Sequence, residues 1–284
     1  MIRAPAKGPD VATPTDEGLV ALLDQVWASM ADLGRGLSEP EWKTPTEVPG
    51  WSVQDNLVHI AGLEWMLLGR PGPDHTVADE LPHVKNDVGK RNEVFVDSRR
   101  SRSGAEALAE FEDTTADRIA QLRSYGPDDF AKESWTPAGP GTVRDLLPFR
   151  IFDSWVHEQD MRRAVRKPGD LDTPPAKLAM GRVFDAMPFV VGKKAGAPDG
   201  ATVVFDVSGP LARTFAIGVA GGRANVIDEV PADAQTRIVT DTETLARVGC
   251  GRVDPAAALG DGRVRLEGDE ELGRRIVEGM NFLF

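Results

Sequence analysis

Trp42-Lys-Thr-Pro-Thr-Glu-Val-Pro-Gly-Trp51-Ser52-Val-Gln-Asp55-Asn-Leu57 returns, shortened, as Trp135-Thr-Pro-Ala-Gly-Pro-Gly-Thr142-Val-Arg-Asp145-Leu146. Each copy is a Trp, a Thr-Pro, a Pro-Gly turn, and then a hydroxyl residue followed three positions later by Asp. That last spacing is a capping box, in which hydroxyl and carboxylate satisfy the orphan amides of a starting helix. Two halves with one entry motif predict two helix-loop-helix units, and hence an antiparallel four-helix bundle with approximate two-fold symmetry.

The sequence on either side supplies the helices. Leu19, Leu22, Leu23, Val26, Trp27 and Met30 stand at helical spacing and predict a first helix over about 15–36. The second, about 52–69, is apolar nearly all round, with His59 and Glu64 embedded in that surface. A loop over 71–82 follows, in which His75, and His83 just after it, read as exposed. A helix over 84–98 and a capped helix from Ser103 to about 124 precede the fourth long helix, about 142–166, with Pro148 near its start removing one backbone donor. After Pro168-Gly169 the pattern changes to a helix over 175–193 and then short β-branched segments at 202–207, 214–219, 224–227 and 236–239, followed by helices over 241–248 and 255–259, a strand over 262–267 and a helix over 270–281. The chain is expected to be an α+β two-domain protein: a disordered lead-in over 1–15, a helical domain over 16–170 and a small α+β domain over 171–284.

Composition narrows the function. A formal net charge of -12 argues against a general nucleic-acid surface, because phosphate neutralisation needs clustered Lys and Arg. The run Arg99-Arg100-Ser-Arg102 reads as a solvated helix end. No apolar run is long enough to span a bilayer and the N-terminus lacks a signal-peptide core, so a cytoplasmic protein with no membrane partner is expected. The single cysteine, Cys250, allows neither an intrachain disulfide nor a thiolate metal cluster.

The chemistry concentrates in Asp153-Ser-Trp-Val-His157-Glu-Gln-Asp160 of the fourth helix. Residues three and four apart share a helix face, so Asp153, His157 and Asp160 form one column, interleaved with Phe149, Ile151, Phe152, Trp155 and Val156. Burying that column calls for a neutralising partner, and a metal ion is the obvious one. In a bundle the second and fourth long helices can face each other, which brings His59 towards Asp153 and His157. Two imidazoles and one carboxylate suit zinc or another divalent metal, with a fourth position left to water or substrate. His157-Glu-Gln-Asp-Met161 is not the zincin helix H-E-x-x-H, because Met stands at 161, and a metalloprotease is excluded. Asp160 reads either as a group behind the ligands, able to orient one or take a proton, or as the partner of Arg163 or Arg144 in a salt bridge. Such a centre can activate water for hydrolysis or hold a thiol as thiolate, and spacing does not separate the two.

Pro49-Gly-Trp-Ser-Val-Gln-Asp-Asn-Leu-Val-His59-Ile-Ala-Gly62, paired with Phe152-Asp153-Ser-Trp-Val-His157-Glu-Gln-Asp160-Met-Arg162, resembles the mycothiol-dependent maleylpyruvate isomerase family of actinobacteria, within the DinB-like metal-binding superfamily. Gly251-Arg-Val-Asp-Pro-Ala-Ala-Ala-Leu259 and Arg263-Val-Arg-Leu-Glu-Gly-Asp269 resemble that family's C-terminal domain, which is related to sterol carrier folds. The resemblance implies a zinc ion held by His59, Asp153 and His157, with Asp where the isomerase has Glu. It implies roles near the site for Asp160 and Arg162, and a substrate-positioning arginine among Arg213, Arg223, Arg237 and Arg252. It also implies mycothiol as thiol cosubstrate, adding to an electrophilic small molecule as an S-transferase or a cis-trans isomerase, in a monomer or homodimer. A non-enzymatic metal- and ligand-binding protein and a metal-assisted hydrolase are the alternatives.

Overall fold

The computed structural model describes residues 14–78 and 81–283. The lead-in expected over 1–15 lies outside the described residues up to position 13. The chain divides into two compact units, with the boundary between Asp170 and Leu171.

The first unit is built on four long helices: α1 (Asp16–Arg35), α3 (Val53–Leu67), α5 (Gly104–Arg123) and α7 (Val143–Ala164). Shorter pieces join them: α2 (Glu39–Trp42), α4 (Asp87–Asp97), α6 (Pro127–Phe130) and the strands β1 (Glu133–Thr136) and β2 (Gly139–Thr142). α1 packs on α5 and α7, and α3 packs on the same two, so the four close into a bundle in which α3 and α7 are neighbours. Leu23, Met30, Leu57, Ile60, Phe111, Leu122, Leu147 and Ile151 fill its interior. α7 is pinned to α1 by Trp27, whose Nε1 donates to Ser154 Oγ over 2.9 Å inside the core. α4 crosses α3 at Gly62, where a Cβ would come within 2.5 Å of the Phe95 ring.

Both sequence-marked capping boxes form. Ser52 accepts from the Asp55 amide while the Asp55 carboxylate accepts from the Ser52 amide, and Thr142 and Asp145 do the same for α7. The entries are less alike than their sequences. Before α3 the chain makes only an isolated bridge between Pro45 and Ser52, whereas before α7 it folds into the β1–β2 hairpin, pairing Glu133 with Thr142 and Thr136 with Gly139. Trp42 is buried under α5, while Trp135 stands out from the hairpin.

Two surface expectations are corrected. Arg99 is buried, forked onto Glu110 at 3.0 and 3.2 Å with its guanidinium 3.7 Å above the Phe95 ring, and the half-buried Arg100 pairs with Glu93 and Asp97, so the first two arginines of the run are ion-paired rather than simply solvated. His83 folds back onto Gly50, where φ is +80° and a Cβ would come within 2.7 Å of the imidazole, and its Nε2 lies 3.1 Å from the buried Glu93.

In the second unit, α8 (Pro174–Phe189) runs into a π-helical turn (Val190–Lys194), followed by β3 (Thr202–Ser208), β4 (Arg213–Ala220), β5 (Arg223–Ile227) and β6 (Thr236–Asp241). Then come α9 (Thr242–Gly249), α10 (Pro255–Gly260), β7 (Arg265–Gly268) and α11 (Glu270–Glu278). The sheet has the order β5-β4-β3-β6-β7, with β3 and β6 parallel and the other pairs antiparallel. Val203, Val204 and Phe205 are buried in succession, as expected of the central strand of the sheet. Cys250 is buried at the end of α9. Among the described residues no helix is long and apolar enough to cross a membrane.

Candidate metal centre

His59 comes from the middle of α3, and Asp153 and His157 from successive turns of α7. The apolar surround of each helix draws these faces together, and the polar side chains travel with them. His59 Nε2 lies 3.3 Å from Asp153 Oδ2, and His157 Nε2 lies 3.6 Å from Asp153 Oδ1. The imidazoles meet edge to face, with ring centroids 4.8 Å apart. One donor atom from each of the three lies within 4.8 Å of the others.

The electrostatics suit a cation. Burial pulls His59 down to about 4, against the opposing pull of Asp153, so this imidazole is neutral near pH 7 and has a lone pair to give. Burial alone would raise the Asp153 carboxyl, but the His59 imidazole and the Arg150 guanidinium outweigh it and hold the group well below the usual carboxylate range. The donor set is thus at least one neutral imidazole, a second imidazole and a carboxylate anion. His59 Nδ1, on the far side of the ring from Asp153, is buried with no hydrogen-bond partner among the described residues. These residues fit a divalent ion of the zinc type, with His59, Asp153 and His157 as the side chains that could hold it.

Several surrounding residues reach the trio through the fold. Arg150 donates from Nη1 to Asp153 Oδ2 over 2.6 Å and from Nε to Glu64 Oε1 over 2.6 Å, and Arg118 reaches the other Glu64 oxygen at 3.2 Å. The i,i+3 spacing of Arg150 and Asp153 could have suggested the first pair, whereas Glu64 enters only through the packing of α3 on α7. Trp51 lays its indole against both imidazoles, with centroids 5.0 Å from His59 and 5.7 Å from His157, and donates from Nε1 to Glu93 over 2.9 Å. Asn56 Oδ1 lies 2.6 Å from His157 Nδ1.

Asp160 is fully buried behind His157, with Oδ2 3.4 Å from Nδ1, and pairs through its other oxygen with Arg163. Arg144 pairs with Asp16 instead. Arg162 stands apart from the trio. It points to the opposite side of α7, where it pairs with Glu158 and Asp170 and donates to Ser29 Oγ, because five residues along a helix carry it well round the axis from His157. Its role is to tie α7 to α1. In that cluster burial pushes Glu158 up to about 7, against the Ser29 hydroxyl and Arg162.

Comparison with known proteins places this architecture. The family model described as "Mycothiol maleylpyruvate isomerase N-terminal domain" matches residues 23–162, and the one described as "MDMPI C-terminal domain" matches residues 177–275. The fold is a helical domain that brings His59, Asp153 and His157 together, followed by an α+β domain. With both models matched in order, the chain belongs to the mycothiol-dependent maleylpyruvate isomerase family. The crystal structure of the mycothiol-dependent maleylpyruvate isomerase is similar at 16% identity and a TM-score of 0.51, covering 84% of this chain and 90% of that one. That of its histidine-to-alanine mutant is similar at 15% identity and a TM-score of 0.52, with the same coverage. Likeness at this identity speaks for the fold. The UbiJ-SCP2 ubiquinone synthesis protein overlaps 38% of the chain at 13% identity and a TM-score of 0.30. No curated protein matches the chain in sequence.

Proposed function

We propose that this protein is a zinc-dependent enzyme that uses mycothiol as a low-molecular-weight thiol. The thiol adds to an electrophilic small molecule, and the chain acts as an S-transferase or a cis-trans isomerase of the maleylpyruvate isomerase type. The observation that carries the reading is the His59/Asp153/His157 group, two buried imidazoles and a half-buried carboxylate, at the α3–α7 seam of a chain belonging to this family. A divalent ion held there would supply a Lewis acid that keeps a thiol as its thiolate at neutral pH.

The chain's own residues set the conditions. One carboxylate and two uncharged imidazoles leave a divalent ion with net positive charge, which favours an incoming sulfur anion. Arg150 adds positive potential from behind Asp153 and keeps that carboxylate ionised. Trp51 walls one side of the imidazole pair against water. Within the trio the side chain of Asp153 is 30% exposed, against 6% for His59 and 8% for His157, so solvent and substrate approach from the Asp153 side. In the reaction itself the sulfur bonds to the electrophilic carbon of an activated double bond while the π pair moves to the activating carbonyl. Rotation and loss of the thiolate restores the double bond as its isomer, and protonation of the adduct completes S-transfer.

A screen of electrophiles with and without mycothiol, read by mass spectrometry for adducts and by chromatography for isomers, tests the proposal. Turnover that needs both the thiol and the metal is the expected result. Hydrolysis at an undiminished rate without thiol would overturn it.

A further inference from the structure

Behind the trio stands a hydrogen-bond chain that the proposed chemistry has not used. Asn56 is fully buried, and its amide can face only one way. Its Nδ2 lies 2.8 Å from the Ser52 carbonyl and 3.0 Å from Thr46 Oγ1. A carbonyl can only accept, so it must meet the NH2 group. The Thr46 hydroxyl gives its own proton to the Trp51 carbonyl over 3.0 Å, so towards Asn56 it also accepts. Turning the amide over would set two oxygens 2.8 Å apart inside the core. Oδ1 is therefore the atom that His157 meets at 2.6 Å, and an amide oxygen cannot donate. Nδ1 of His157 must carry a hydrogen. In the neutral imidazole Nε2 then holds the lone pair, and Nε2 is the nitrogen that faces Asp153.

We propose that Thr46 and Asn56 form a tautomer lock, two positioning residues that keep the His157 proton on Nδ1 so that an unprotonated Nε2 is presented to a divalent ion. The inference rests on the metal-centre reading above and deepens it. A lone pair aimed at a carboxylate is repelled when nothing lies between them, so an arrangement that enforces it makes physical sense where a cation joins the two. Asp160 Oδ2, at 3.4 Å from Nδ1, is the more distant acceptor, 0.8 Å farther than Asn56 Oδ1, and Arg163 holds the other oxygen of that carboxylate. The lock is anchored outside the helices as well. The Thr46 hydroxyl accepts from the Val48 amide at 3.2 Å and holds the Trp51 carbonyl, so the turn that carries the indole wall and the amide that orients His157 hang from one oxygen.

The test uses the full chain with Asn56→Leu, close in size but unable to accept, and Thr46→Val, which leaves Asn56 in place and removes one of its two acceptors. Long-range proton–nitrogen NMR of the metal-free protein, above the pH at which the imidazolium titrates, reads the tautomer. With only four histidines in the chain, His157→Gln assigns the signal. Chelator competition reads zinc affinity. Wild type is expected to show hydrogen on Nδ1 alone. Asn56→Leu should move the population towards Nε2–H and weaken zinc binding by about 10–100-fold, with Thr46→Val moving both in the same direction by less. A folded Asn56→Leu protein with the wild-type tautomer and wild-type affinity overturns the lock. If that variant does not fold, the same two values unchanged in Thr46→Val overturn it. A wild type with the Nδ1–H tautomer that binds no zinc instead overturns the metal-centre reading, and with it the purpose assigned to the lock.

Discussion

Arg150 holds Asp153 from behind, its Nη1 2.6 Å from Oδ2, while its Nε grips the fully buried Glu64 at the same distance. One guanidinium thus ties a candidate ligand on α7 to an interior carboxylate on α3. Removing it would leave Glu64 with Arg118 alone and Asp153 without its fixed positive neighbour. Arg150→Met is expected to cost about 3–5 kcal/mol, the usual loss when one partner of a buried ion pair is taken away. Arg123→Ala, which breaks a solvent-exposed pair with Asp24, should cost less than about 1 kcal/mol. Urea denaturation at pH 7 compares the two.

Two buried groups give the metal-free protein opposing pH dependences. His59 falls from its ordinary 6.5 to about 4 because of burial, so the unfolded chain binds more protons in that interval and stability drops as pH is lowered through it. Glu158 rises from 4.5 to about 7, also through burial, so the folded chain binds more protons there and stability drops as pH is raised. Each contributes up to about 3 kcal/mol, and between pH 4.5 and 6.5 they largely cancel. Glu158→Gln is expected to leave a stability that climbs from pH 4 to 6.5, and His59→Asn one that declines from pH 4.5 to 7. Parallel curves for both variants and wild type would show that neither shift is present.

Trp51 covers both imidazoles, and burial is the largest cause of the His59 shift. Trp51→Ala should let water reach the ring and raise the His59 pKa from about 4 towards 6.5, visible in an NMR titration of the metal-free protein.

Much of this arrangement can be read from the sequence because it is local. Capping boxes at Ser52/Asp55 and Thr142/Asp145 fix where α3 and α7 begin, and the i,i+4 spacing of Asp153 and His157 puts both on one face. The repeated entry motif also supplies the reason to seek His59 opposite them. The β1–β2 hairpin is hidden because Gly139, Pro140 and Gly141 of β2 have poor strand propensity and form a strand only by pairing with Thr136, Trp135 and Ser134. The Asn56–His157 and Arg150–Glu64 contacts carry no local signal because tertiary packing fixes them: Asn56 meets His157 across 101 positions, and Arg150 meets Glu64 across 86. Arg99 and His83 read as exposed for a related reason, since a polar side chain looks solvated until the partner that draws it in, Glu110 or Glu93, is in place.

Cobalt substitution tests the metal centre most directly, by titrating metal-free protein with Co2+ and recording the visible spectrum before and after mycothiol. The expected result is one ion per chain with low-coordinate bands that shift on adding thiol, and loss of that binding by more than about 100-fold in His59→Ala. Full-strength binding retained by His59→Ala, or a spectrum unchanged at saturating mycothiol, would contradict a thiol-using centre built on His59, Asp153 and His157.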